Sequence, residues 1–373
     1  MIHSLTGLRF YAALMVFISH LTAFGFFMGL TEGPVFDGIN RLGPTGVALF
    51  FVLSGFVLFI NYFPKYDGQT GDFPWKKFYV ARFARIYPVF FLTTLLVLPI
   101  IVLSPRHHFS VENLLLTLGL AECYSEAACT ALNIPGWTIS VEALFYVLFP
   151  LLGLLFLKNI RWHLILFSLV YAVYLAMMIQ WVPSEHYTGI WFPPNRVLEF
   201  LTGMGLGYLY LKNPGHVIEK SNSSWRGMVL GVGFLLLLLQ PVFIGWTQAA
   251  IENLGNYERL TFLYLLPPSA LIIWMLAITE KVKQPFWLFH HQWIILGGEI
   301  SYSFYLIHHL IYRYTKHAIT FTTHLDFTQP QPWVGVVLLP TLLGISCIAA
   351  YWLYKTVELP WRKKILNWYH QSR

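Results

Sequence analysis

Charged residues are scarce in this chain. Only 11% of its 373 residues are charged and 57% are hydrophobic, and the mean hydropathy is +0.59. In a typical soluble domain about 25% of the residues are charged. The composition therefore excludes an ordinary soluble protein and indicates a polytopic membrane protein. The first apolar run is too long for the apolar core of a cleaved signal peptide, so we expect no such leader.

Cysteine and acidic residues are also few. Three cysteines are too few for a disulfide framework or a cysteine-based zinc site, and we expect no metal. The excess of 24 Lys and Arg over 17 Asp and Glu gives a net charge of +7. A basic balance can indicate nucleic-acid binding, but the placement of these residues along the chain points to membrane topology instead. We expect no nucleic-acid partner.

The long apolar runs predict an all-α, polytopic membrane helical bundle of about ten transmembrane helices. The segment 111–121 is apolar but too short to span a bilayer, so it is predicted as an interfacial or re-entrant helix. The predicted spans are 5–29, 45–63, 86–104, 136–157, 162–182, 195–211, 227–247, 259–279, 294–317 and 333–355.

The basic residues predict the orientation of this bundle. One set of alternate connections, together with the C-terminal tail, holds 17 of the 24 Lys and Arg residues. Because cytoplasmic loops carry the excess of Lys and Arg, both termini are expected in the cytoplasm. The opposite connection 105–135 contains Cys123 and Cys129. On the outer side these two thiols could form a disulfide or stay free, and the sequence leaves both alternatives open.

An ionisable side chain lies deep in the first predicted span. His20 follows Arg9 by eleven residues, which corresponds to roughly 16 Å along a helix. Ionisable groups in a membrane are costly and mark functional sites by default, and imidazole exchanges protons near neutral pH. The alternative is a histidine whose hydrogen bonds only serve helix packing.

Polar residues of other spans are predicted at a similar depth in the outer half of the membrane. Glu142 and His308 lie part-way along the fourth and ninth spans, and Arg196 opens the sixth. A shared depth favours a common polar cavity, in which His20 is the candidate base and Glu142 a candidate orienting or substrate-binding group. Glu142 could equally belong to a structural hydrogen-bond network, and Arg196 could pair with Glu199 on one helix face.

Two arginines precede the third predicted span on the cytoplasmic side. Arg82 and Arg85 share one helix face, and their planar forks suit phosphate groups. Arg9, near the same membrane face, could add a third positive group. The alternative for the arginine pair is ordinary anchoring at the lipid headgroups.

Four further residues are candidates with a supporting role. Ser54 could act as a nucleophile or oxyanion donor, although Ser54 and Gly55 are also typical of closely packed membrane helices. The aromatic residues near the polar positions could stack on a sugar ring or serve only in packing. These aromatic candidates are Trp137, Tyr146 and Tyr305.

The sequence resembles the acyltransferase 3 family of integral-membrane O-acyltransferases in motifs that occur in order along nearly the whole chain. The spacing of Arg9 and His20 is similar to the Arg/Lys-X10-His motif of the family's first helix, and Arg82-Phe-Ala-Arg85 is similar to its R-x-x-R motif. The other matching segments are Phe50–Phe56, Trp137–Tyr146, Ser301–His308 and Glu358–Pro360.

The resemblance implies that an acyl group, usually acetyl, passes from cytoplasmic acyl-CoA to a carbohydrate or lipid-linked glycan, such as lipopolysaccharide O-antigen or exopolysaccharide. It implies that His20 is catalytic and that Arg82 and Arg85 bind acetyl-CoA. The location implied is a bacterial inner membrane, with lipid contacts throughout. Ala143 departs from the family pattern, since many members carry a second acidic residue there. We expect one membrane domain over 1–373 with a short cytoplasmic tail at 356–373, and no SGNH domain.

A proton-coupled membrane transporter is the competing hypothesis. His20, Glu142 and His308 could form a proton relay through the bilayer. Transporters of this kind often have two related halves, and no internal repeat is visible in the sequence.

Overall fold

The apolar runs form α-helices, because a helix satisfies every backbone hydrogen-bonding group inside lipid. The computed structural model describes residues 2–23, 34–65, 73–103, 109–156, 160–181, 191–212, 223–239, 261–323 and 332–371. These residues are helical or lie in turns, with no β-strand among them. The predicted all-α class is confirmed.

Each predicted span overlaps a helix. The helices in chain order are α1 His3–Ala23, α2 Pro34–Tyr62, α3 Trp75–Leu103, α4 Val111–Leu118, α5 Glu126–Cys129, α6 Trp137–Leu154, α7 Ile160–Trp181, α8 Val197–Lys212, α9 Ser223–Leu238, α10 Thr261–Lys281, α11 Trp287–His290, α12 Gln292–Thr323, α13 Pro332–Leu353 and α14 Leu359–Gln371.

Within the described residues, seven helical stretches are long and apolar enough to cross a membrane. They lie in α1, α2, α3, α6, α10, α12 and the run Val337–Gln371. The other predicted spans correspond to α7, α8 and α9, whose apolar stretches are shorter or which have only 16 residues. The count of ten spans and the cytoplasmic location of the termini stay predictions.

The predicted C-terminal tail continues as helix. A π-helical segment, Tyr354–Glu358, joins α13 to α14. Pro360 has no N–H to donate to the carbonyl four residues earlier, which accounts for a widened turn at this point. The segment matters for the site because Glu358 is its last residue and is buried.

The described residues form two compact units. The first contains 1–5, 48–75 and 141–286, and the second contains 6–47, 76–140 and 287–373. In the first unit, α2 and α8 touch backbone to backbone. A Cβ atom added to Gly55 would lie 2.0 Å from the Phe200 carbonyl oxygen, and one added to Gly203 would lie 1.9 Å from that of Val52. Gly55 is thus a packing residue, one of the two roles expected for this segment.

In the second unit, α1 packs closely along α12. A Cβ atom at Gly298 would lie 1.8 Å from the Thr6 carbonyl oxygen, so only glycine allows this approach. Further along both helices, the Tyr312 hydroxyl donates to the Phe17 carbonyl at 2.9 Å. The order of these contacts makes α1 and α12 parallel, as the predicted topology requires of its first and ninth spans.

The segment between α3 and α6 also belongs to the second unit. It contains α4, where the sequence predicts a short helix, and a disulfide between Cys123 and Cys129. Of the two alternatives left open for these cysteines, the structure therefore has the bonded pair.

Candidate active site

Two histidines meet where α1 and α12 pack together. Nδ1 of His20 lies 2.9 Å from Nε2 of His308. His308 is fully buried, whereas His20 is half-buried. The structure therefore brings these two predicted site residues into direct contact, although 288 positions separate them in the chain.

Aromatic rings surround the buried imidazole. Phe17 and Tyr312 have ring centroids 6.1 and 5.5 Å from that of His308. Tyr305, a predicted supporting residue, lies at 6.0 Å. A second buried histidine, His309, presents its ring edge-on to His20 at 5.5 Å. Among the described residues, the wall around His308 is thus mainly aromatic.

Arg85 forms an ion pair with Glu358. Glu358 is only 1% exposed and also accepts a hydrogen bond from the Ser303 hydroxyl at 2.8 Å. The Arg85 guanidinium lies over the Tyr302 ring, 5.5 Å from its centroid. The Tyr302 hydroxyl donates to the Ile86 carbonyl at 2.6 Å, which ties α12 to α3. Arg85 is therefore held in one orientation by a carboxylate and an aromatic face.

The other two predicted arginines lie on the same helices. Arg82 is half-buried one turn before Arg85 on α3, so the two guanidinium groups share a face as predicted. Arg9 is half-buried on α1. These three arginines could hold the phosphates of a nucleotide.

The first unit contains a second polar cluster. Arg196 and Glu199 are both buried and form a two-point ion pair, with Nε–Oε2 at 2.6 Å and a second contact at 2.8 Å. The Arg196 guanidinium lies over Phe51, 5.2 Å from the ring centroid. The structural alternative considered for Arg196, a pair with Glu199 on one helix face, is the arrangement in the structure.

Glu142 is half-buried on α6 in the same unit. It accepts a hydrogen bond from the Tyr146 hydroxyl, one helical turn later, at 2.7 Å. Ser54 lies on α2 beside the glycine contact with α8. The orienting role predicted for Glu142 stays a prediction. In the second unit, the nitrogen that contacts Nδ1 of His20 belongs to His308.

A buried carboxyl group lies beside the disulfide. Glu122 is 2% exposed, and its Oε1 has no hydrogen-bond partner among the described residues. This oxygen packs over Gly136, just before Trp137 begins α6, so closely that a Cβ atom at that glycine would lie 2.8 Å away. Burial raises the pKa of Glu122 to about 8, and a hydrogen bond with the Thr117 side chain offsets this only in part. Trp137, a predicted supporting residue, is itself buried.

Sequence reasoning missed the contact between Arg85 and Glu358. The signal was present, since Glu358 is the acidic residue of the closing E-x-P match, but nothing local connects it with α3. The role of Ser303 was missed as well, although it adjoins residues singled out on α12, whereas His309 is predicted at the same depth as His308. Among the described residues, no group of three or more His, Cys, Asp or Glu side chains is arranged to hold a metal.

Comparison with known proteins places these residues in a family. Residues 2–354 match a family described as an acyltransferase domain. The chain is 29% identical to the acyltransferase MdmB of Streptomyces mycarofaciens, covering 96% of this chain and 90% of that protein. It is 22% identical to the peptidoglycan O-acetyltransferase OatA of Listeria monocytogenes, covering 96% of this chain but only 56% of OatA. No solved structure matches.

The match covers the helices that carry both histidines and the arginine pair, and the helices are those of a protein that spans the membrane. The resemblance seen in the order of the sequence motifs is confirmed. The chain belongs to the acyltransferase 3 family of membrane acyltransferases.

Proposed function

We propose that this protein is a multi-pass O-acetyltransferase that transfers acetyl from cytoplasmic acetyl-CoA to a hydroxyl of a cell-surface carbohydrate. O-antigen and exopolysaccharide are the acceptors we favour. Family membership supports acyl transfer, and OatA, one of the relatives, is named for O-acetylation of a cell-wall glycan. The basic connections support cytoplasmic termini in a bacterial inner membrane, and a disulfide in the outer connection suits an oxidising compartment.

The observation that carries the proposal is the arrangement of α12. Ser303 on this helix binds the carboxylate that holds Arg85, and His308, five residues later, contacts His20. Five residues correspond to about 8 Å along a helix. One rigid element therefore connects a group suited to phosphate with a group suited to proton transfer.

In the proposed reaction, a ring nitrogen of His20 takes the proton of the acceptor hydroxyl as the hydroxyl oxygen attacks the thioester carbonyl. The tetrahedral intermediate collapses, the carbon–sulfur bond breaks, and the thiolate of CoA receives the proton back from His20. The acceptor gains the acetyl group and CoA leaves as the free thiol. No other reactant is needed.

The remaining candidate residues are given the following roles in the proposal. Arg82, Arg85 and Arg9 bind the phosphates of acetyl-CoA, since guanidinium forks suit phosphate oxygens. Glu142 and Arg196 serve the acceptor, and Trp137, Tyr146 and Tyr305 offer rings for sugar stacking. The hydroxyl of Ser54 or Tyr146 is the donor we assign to the oxyanion.

The test is release of free CoA from acetyl-CoA by purified protein in liposomes, with and without isolated cell-surface glycan. Replacement of His20 by alanine should lower turnover about 10²–10⁴-fold, the usual contribution of a general base. His317→Ala is the matched control, because His317 is an exposed histidine on α12. Unchanged turnover in His20→Ala would refute the assignment of the base.

A further inference from the structure

We infer that His308 is a positioning residue that fixes the tautomer of His20, so that Nε2 of His20 is the nitrogen that accepts the proton. The inference rests on the proposed function and deepens it. It depends on one chain of hydrogen bonds within the second unit, from a backbone carbonyl through two imidazoles.

The chain of hydrogen bonds begins at a backbone carbonyl group. Nδ1 of His308 lies 3.2 Å from the backbone oxygen of Phe304, one helical turn earlier. A carbonyl oxygen only accepts hydrogen bonds, and its second lone pair is available besides the one that serves the helix. Nδ1 of His308 therefore carries the proton. Because a neutral imidazole has one N–H, Nε2 of His308 carries a lone pair.

This lone pair determines the state of His20. At 2.9 Å, Nε2 of His308 accepts the hydrogen bond, so Nδ1 of His20 must donate it. Nε2 of His20 is then the unprotonated nitrogen. The tautomer that a general base needs is thus set by a contact rather than left to an equilibrium between two forms.

The ring geometry supports this direction. The two imidazole planes differ by 12°, and the ring centroids are 5.2 Å apart, although the nitrogens are only 2.9 Å apart. Because the distance between the nitrogens is so much shorter than the distance between the centroids, the two rings lie edge to edge in nearly one plane. The lone pair of an imidazole nitrogen lies in the ring plane, so the contact has the geometry of an N–H···N hydrogen bond.

Two further polar residues of α12 lie near the pair, and their described contacts differ from this bond. His309 meets His20 edge-on, with its plane at 78°. Arg313, the charged group beside His309, donates to the Leu132 carbonyl at 2.9 Å. The buried aromatic wall holds His308 in place. A neutral acceptor at this position hydrogen-bonds the imidazolium of His20 when it forms, and so stabilises it.

The test compares substitutions that differ in where they place an acceptor. In His308→Gln, the amide oxygen reaches the former position of Nε2 and can accept from His20. In His308→Asn, the shorter side chain cannot reach. We expect kcat to stay within about 5-fold of wild type in His308→Gln and to fall about 10²-fold in His308→Asn, within the range of general-base effects. KM for acetyl-CoA should change less than 3-fold in both, roughly the precision needed to separate binding from chemistry.

His317→Gln is the control for a histidine on the same helix, and gel filtration with thermal melting checks that each variant is folded. A second measurement is independent of turnover. The 15N chemical shifts of His20 in labelled protein should show the form protonated at Nδ1 in the wild type and in His308→Gln. In His308→Asn, they should show a mixture of the two tautomers.

Equal losses of kcat in folded Gln and Asn variants, or a wild-type kcat in His308→Asn, would overturn the inference. So would nitrogen shifts showing that wild-type His20 is protonated at Nε2. If those shifts show the form protonated at Nδ1 but His20→Ala retains full turnover, the proposed function fails while the tautomer assignment stands.

Discussion

Replacing Glu122 by glutamine should stabilise the protein at neutral and alkaline pH. The Glu122 carboxyl is buried beside Gly136, and burial raises its pKa from the ordinary 4.5 to about 8. Between these values the folded protein keeps a proton that the unfolded chain has released. The folded state then binds more protons than the unfolded state, so stability falls as the pH rises.

The magnitude follows from the two pKa values. Each step of one in pKa corresponds to about 1.4 kcal/mol. The contribution of Glu122 to the free energy of unfolding is fully present below pH 4.5. About 3 kcal/mol of this contribution is lost at pH 7, and about 5 kcal/mol is lost above pH 8. Glutamine has nearly the same shape and does not ionise, so Glu122→Gln should abolish this pH-dependent loss.

The assay is thermal melting of the purified protein in detergent between pH 5 and pH 9. The wild-type melting temperature should fall across this range, and that of Glu122→Gln should fall much less, with the largest difference at the alkaline end. Glu126→Gln is the matched control, because Glu126 is an exposed carboxylate in the same segment. Equal pH dependence in wild type and Glu122→Gln would refute the reasoning.

Two further predictions concern helix contacts. Gly203→Ala should lower the melting temperature, because the added Cβ would lie 1.9 Å from the Val52 carbonyl oxygen. Forcing the two helices apart costs about 1–3 kcal/mol. Gly205→Ala is the control on the same helix, since its Cβ meets nothing within 4 Å, and it should be neutral or stabilising. Glu358→Gln should raise KM for acetyl-CoA more than it lowers kcat, because Arg85 loses the carboxylate that orients it. Lys355→Gln, an exposed change in the same π-helical segment, is the control, and a KM equal to the control's would contradict the proposed role of Arg85.

The sequence predicts the existence of the helices better than their ends. The predicted second span begins at residue 45, but α2 begins at Pro34, and α3 begins at Trp75 rather than at 86. Hydropathy measures affinity for lipid, whereas a helix continues wherever its backbone hydrogen bonds and packing are satisfied. Polar or amphipathic turns that extend beyond the apolar run are therefore invisible to the pattern.

In the candidate site as well, some contacts follow from the sequence and others do not. Arg196 and Glu199 are three residues apart, and helix geometry alone suggests their pairing. The partners of His20 and Arg85 lie 288 and 273 positions away in the chain. No periodicity encodes such contacts. They depend on how α1 and α3 pack against α12, and on glycines such as Gly298 that set how closely the backbones approach.

The buried and half-buried ionisable groups of this protein differ in the kind of partner that each one has. Arg196 faces Glu199 and Arg85 faces Glu358, so each arginine has an opposite charge beside it, which lowers the cost of placing it in the membrane. The two imidazoles that meet between α1 and α12 neutralise nothing, because both are bases. Their contact orders proton positions instead of cancelling charge, and one of the two residues, His20, is only half-buried. An arrangement that fixes the direction of a hydrogen bond leaves the other nitrogen of His20 as the base. This suits proton transfer, so the histidine pair rather than the more strongly charged clusters is the candidate catalytic centre.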